Sequence, residues 1–64
     1  MKIPILRLLV DAKMTTSMSE GRRAVWLGAV SVNGTVIDDF EVEVQLGDTI
    51  KIGHRSHVVT PEDV

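Results

Sequence analysis

Arg22 and Arg23 stand side by side, with Trp26 and Leu27 one helical turn further on. A guanidinium is a planar fork of donors that matches phosphate geometry, so this pair is a candidate for phosphate contact; its plainer reading is a solvated helix face. Trp26 admits three readings. It extends the core over local apolar surface, it anchors a protein partner or a second copy of the chain, or it stacks on an unpaired base beside Arg22, its i+4 neighbour. Leu27 tilts the pair toward a protein contact, because leucine offers nothing to a base or a phosphate.

The remaining polar clusters are less specific. His54 and His57 have a spacing that defines no metal geometry, and no cysteine is present to complete a site, so no metal is expected. Asp38, Asp39, Glu41 and Glu43 crowd one short run around Phe40. That run lacks an EF-hand spacing and reads as a solubilising edge that blocks strand-to-strand aggregation. No nucleophile–base–orienter set, phosphate loop or dinucleotide fingerprint occurs, and 64 residues are too few to build a deep pocket. Neither an enzyme nor a cofactor is expected.

Positioning these residues requires a capped helix. Ser17 with Glu20 three residues on is the capping-box pattern, Gly28 suits a left-handed C′ position, and Asn33-Gly34 supplies the two positive φ angles of a tight hairpin turn. On this helix Gly21, Val25, Met18 and Gly28 share one direction, with Ala24 flanking, and form the inward stripe; Trp26 and Leu27 point away from it. Gly21 marks either a close approach by a neighbouring helix or drift at a position where alanine would serve better.

Before it, Met1 to Pro4 is a lead-in, and Pro4 opens a first helix whose Ile5, Leu6, Leu8, Leu9 and Ala12 follow a helical period. Arg7 and Asp11 form an i,i+4 pair, and the helix ends near Lys13. After the second helix the chain turns to strands. Ala29 to Asn33 and Thr35 to Asp38 flank the Asn-Gly turn; Val42, Val44 and Leu46 alternate with polar residues. Gly47-Asp48 is a turn, Thr49 to Ile52 and Ser56 to Val59 form a second hairpin around Gly53-His54, and residues 60–64 are expected to fray. Two helices followed by short strands make a single α+β domain over residues 1–64.

Composition sets the outer limits. Apolar residues are 44% of the chain, enough for a packed core. No apolar run approaches the roughly 20 residues that span a bilayer, and no signal peptide is evident, so a cytoplasmic protein without membrane contact is expected. The net charge of −2 disfavours nucleic acid, whose binders are usually basic, unless the cations share one face.

Ser17, Ser19, Glu20, Arg22, Arg23, Gly28, Val30, Val32, Asn33 and Gly34, followed by Gly47, Asp48, Ile50, Ile52 and Gly53, together resemble the S-four RNA-binding domain, or alpha-L motif. The variant nearest to this pattern is the C-terminal domain of bacterial tyrosyl-tRNA synthetases. Single pieces are common, but their joint order and spacing run from about Leu6 to about Val59. The resemblance implies two N-terminal helices packed on a small bent antiparallel sheet. It also implies recognition of structured RNA, of the tRNA or rRNA kind, by shape and phosphate contacts; here that role is expected of a free-standing module. Carried over by position, the RNA-contacting residues are Ser17, Ser19, Arg22 and Arg23, with the helix N-terminus offering backbone donors to one phosphate. Lys51, Arg55 and His57 join them on charge alone. The chain departs from the pattern at Met18, where a cation is common, in the acidic run, and at Trp26 and Leu27, where polar residues are usual. Those last two make a protein-interaction or homodimer surface the alternative expectation.

Overall fold

A computed structural model describes residues 2–63. Lys2–Pro4 forms a strand, β1, and Ile5–Asp11 the first helix, α1. Pro4 is the N-cap, and no side chain caps this end; the Ile5 N–H donates instead to the Val42 carbonyl at 2.9 Å. The described part of the expected lead-in is therefore a paired strand, antiparallel to β4 (Glu43–Gln45), with Ile3 opposite Val44. Three residues ending in proline carry no local strand signal, and only the distant partner makes them one.

Lys13, with φ 59°, closes α1 in the left-handed conformation. Its N–H donates to the Val10 carbonyl at 3.0 Å and the Met14 N–H to that of Leu9 at 2.8 Å, a Schellman cap built on lysine where glycine is usual. A non-glycine residue there costs roughly 1–2 kcal/mol. The Arg7–Asp11 pair forms at 3.5 Å but is solvent-exposed, so it contributes little.

The second helix, α2, spans Met18–Trp26. At its end Gly28 has φ 72°, its N–H donates to Val25 at 3.0 Å and that of Ala29 to Ala24 at 2.9 Å. This is the Schellman cap that the glycine implied. The inward stripe is shorter than the period alone indicates: Gly21 and Val25 are buried and Ala24 partly so, whereas Met18 and Gly28 are exposed. Both lie at the helix ends, outside the stretch that α1 covers. At Gly21 a Cβ would sit 3.0 Å from Leu6 Cδ2 and 3.6 Å from Leu9 Cδ1, so the two helices do meet there at close range.

Beyond α2, β2 (Val30–Val32), β3 (Thr35–Val36), β5 (Thr49–Ile52) and β6 (Arg55–Val58) form an antiparallel sheet in the order β3-β2-β5-β6. The fold is α+β, two helices against small antiparallel sheets. Val44 is buried and Val42 half-buried, but Leu46 is exposed, because the chain has already entered the Gly47 turn. The core is aliphatic apart from Met14, with Ile5, Leu8, Leu9, Val30 and Ile50 fully enclosed.

Two turns are locked together at the sheet edge. Asn33 and Gly34 take φ 52° and 86°, the type I′ requirement. The Asn33 Oδ1 accepts from the Thr49 N–H at 2.9 Å and its Nδ2 donates to Asp48 Oδ1 at 3.1 Å; Asp48 Oδ2 accepts from the Gln45 N–H at 2.9 Å. The Gln45 N–H, and after it the Asn33 amide, hold the Asp48 carboxyl below its ordinary value. The unfolded chain then binds more protons between the two values, so this stabilisation is complete at neutral pH and disappears as pH falls through the folded-state value. The stability difference between the wild type and Asp48→Asn, measured by thermal unfolding, is expected to be present at neutral pH and to shrink below about pH 4. A difference that persisted undiminished in acid would contradict this role.

Residues 60–63, within the segment expected to fray, form a turn. Asp63 Oδ2 accepts from the Thr60 N–H at 2.8 Å and from the Thr60 hydroxyl at 3.2 Å. It also lies 2.9 Å from His57 Nε2.

Candidate functional site

The capping box at the start of α2 is only half of the expected one. Ser17, extended at φ −157° and ψ 165°, accepts from the Glu20 N–H through its Oγ at 3.2 Å. Glu20 does not return the bond to Ser17. Its carboxylate reaches one residue further back, accepting from the Thr16 hydroxyl at 2.8 Å and the Thr16 N–H at 3.3 Å. A carboxylate therefore already serves the helix end that the sequence offers to a phosphate, beside Ser17 and the exposed Ser19.

One turn on, Arg22 and Arg23 are exposed, and neither makes an ion pair among the described residues. Arg23 faces two depressions. The first is a groove between α2 and the β5–β6 turn, lined by Met14, Glu20, Arg23, Ile52, His54 and Arg55, among others. Gly53, with φ 58°, sits first in that two-residue turn, where a type II′ geometry calls for glycine. The turn brings Arg55 to the residues that follow α1, and Arg55 Nη1 lies 3.4 Å from the Lys13 carbonyl at the left-handed cap. Arg23 and Arg55, far apart in sequence, thus share one groove.

The second depression lies on the other side of Arg23. Arg22, Arg23, Trp26, Leu27 and Phe40 line it. Trp26 is 85% exposed and Leu27 72%, which excludes the reading of Trp26 as an extension of the core. Phe40, 44% exposed, completes this surface from the acidic run. In the sequence Phe40 belongs to a run that reads as a solubilising edge, and its one signal there is a lone aromatic among carboxylates.

Lys51 and His57 do not join these residues. Ile50 and Ile52 point to the core side, so Lys51 between them points to the opposite face of the sheet, as does Ser56 across from it. Arg55, paired with Ile52, is on the α2 side. His57, paired with Ile50, is half-buried, with its Nε2 against Asp63. The Asp63 carboxyl is held below its ordinary value chiefly by the Thr60 N–H and then by His57. No group of three metal-ligating side chains occurs among the described residues, and no helix there is long and apolar enough to cross a membrane.

The family described as Tyrosine--tRNA ligase SYY-like C-terminal domain matches residues 1–59. The chain belongs to that family. Arg22, Arg23, Arg55, Trp26 and Phe40 of the two depressions all lie within the matched residues. The domain is 44% identical over 43 residues to the Tyrosine--tRNA ligase of Geobacter sulfurreducens, covering 67% of this chain and 11% of the ligase. Its fold is similar to that in the crystal structure of the 30S ribosomal protein S4e from Thermoplasma acidophilum. The TM-score is 0.76 at 25% identity, over 91% of this chain and 31% of the ribosomal protein. The domain spans only a small part of each relative.

Proposed function

We propose that this domain is a non-catalytic module that binds structured RNA of the tRNA or rRNA kind. It reads shape and phosphates through Arg22, Arg23 and Arg55, as a free-standing chain or within a longer one. The observation that supports the reading best is the convergence of Arg23 and Arg55 on one groove while Arg22, Arg23 and Arg55 all remain outside ion pairs among the described residues. One relative is named for its tRNA and the other for the 30S ribosomal particle, and such partners imply a cytoplasmic site of action. The net charge of −2 is unevenly spread: Arg22, Arg23 and Arg55 gather around α2, and the run Asp38, Asp39, Glu41 and Glu43 meets them only at Phe40. Ser17 and Ser19 take a lesser part, since Glu20 already brings a negative charge to their helix end.

A protein-interaction or self-associating role is the competing reading, favoured by the exposure of Trp26 and Leu27. The choice of face is tested by a pair of substitutions. Arg55→Ala is expected to weaken binding of an RNA hairpin about tenfold, the worth of one charge-assisted hydrogen bond, and Lys51→Ala to leave it within about twofold. Electrophoretic titration of both variants checks this. A larger loss from Lys51→Ala would move the interface to the opposite face of the sheet.

A further inference from the structure

We propose that the depression between α2 and the loop preceding β4 is a nucleobase subsite, which receives one unpaired base from the RNA whose phosphates Arg22 and Arg23 hold. This rests on the RNA reading above and adds to it a site for a base. The chain has one tryptophan, Trp26, one phenylalanine, Phe40, and no tyrosine. Small domains ordinarily enclose such residues, yet here the core is built without them and both stand at the surface of one depression, with two arginines at its rim. Aromatic faces and guanidinium planes are the surfaces on which unstacked bases lie, and stacking accepts any base because every base has a π-face.

The charge layout selects the occupant. The α2 side carries Arg22 and Arg23, whereas Phe40 is flanked in the chain by Asp39 and Glu41. An anionic peptide would meet those carboxylates and a cationic one the arginines. A nucleotide is anionic at one end and uncharged at the other, and so fits this polarity, its phosphate toward α2 and its base toward Phe40.

The test uses two RNA hairpins that differ only by a single unpaired nucleotide in the stem. The bulged hairpin is expected to bind about tenfold more tightly and to quench the emission of Trp26, the only tryptophan. Trp26→Ala is expected to erase the preference without changing affinity for the paired hairpin, and Trp26→Phe to keep most of it. Because Trp26 is 85% exposed, neither change touches the core. Equal, salt-sensitive binding of both hairpins with unaltered emission would overturn the subsite and leave the phosphate reading standing. Absence of RNA binding at low salt would overturn both. A dimer in sedimentation that Trp26→Ala dissolves would assign the depression to a second copy and overturn the subsite.

Discussion

Alanine at both Arg22 and Arg23 is expected to lower affinity for a structured RNA hairpin about a hundredfold at low salt, from two charge-assisted hydrogen bonds lost together. The dependence of log affinity on log salt should become shallower by about two, because two fewer counterions are released on binding. The unfolding midpoint should not move. Both side chains are exposed and free of ion pairs among the described residues, so the fold loses nothing with them. Lysine at both positions separates charge from geometry: it should retain the salt slope but recover only part of the affinity, since an ammonium cannot reproduce the bidentate fork. The loss should be similar across stem sequences, as expected of contacts that position without reading bases. Fluorescence anisotropy of a labelled hairpin at several salt concentrations, with a thermal melt of each variant, checks all of this.

The second large effect concerns the fold that presents those arginines. Gly21→Leu is expected to destabilise the domain by about 1–3 kcal/mol, the usual penalty for overfilling a packed contact. A domain of this length has roughly 3–10 kcal/mol in total, so the loss would show plainly in urea or thermal unfolding. A leucine there must displace Leu6, whose Cδ2 would lie 3.0 Å from the first added carbon, and Leu9 behind it. Alanine sets a gain of about 1 kcal/mol in helix propensity against the same Leu6 contact, and should fall within about 1 kcal/mol of the wild type. A leucine variant as stable as the wild type would mean that α1 and α2 do not meet at Gly21.

Gly21 also illustrates what was legible beforehand. Its type alone left close approach and drift equally open; only the distance to Leu6 decides. Signals confined to a few neighbouring residues carried through intact: Ser17 as N-cap, Gly28 as C′ residue, Asn33-Gly34 as hairpin turn. What depended on distant partners did not. β1 exists because Glu43–Gln45 lies beside it, and Lys13 takes a left-handed φ that its side chain does not advertise. Glu20 turns to Thr16 because a hydroxyl waits there as well as a backbone donor. The candidate site divides in the same way. Arg22, Arg23 and Trp26 lie on α2 and Leu27 caps it, so they could be read together from the helical period. Phe40 and Arg55 reach them through the tertiary fold, and strand pairing turns Lys51 to the other side.

Everything proposed here for function depends on whether the domain binds structured RNA through its arginine face. The most direct measurement is a titration of the unmodified chain with an RNA hairpin at a series of salt concentrations. Saturable binding is expected at low salt, with log affinity falling linearly against log salt at a slope of about −2 to −3, as about three phosphate contacts require. No saturable binding at low salt, or an affinity indifferent to salt, would contradict it.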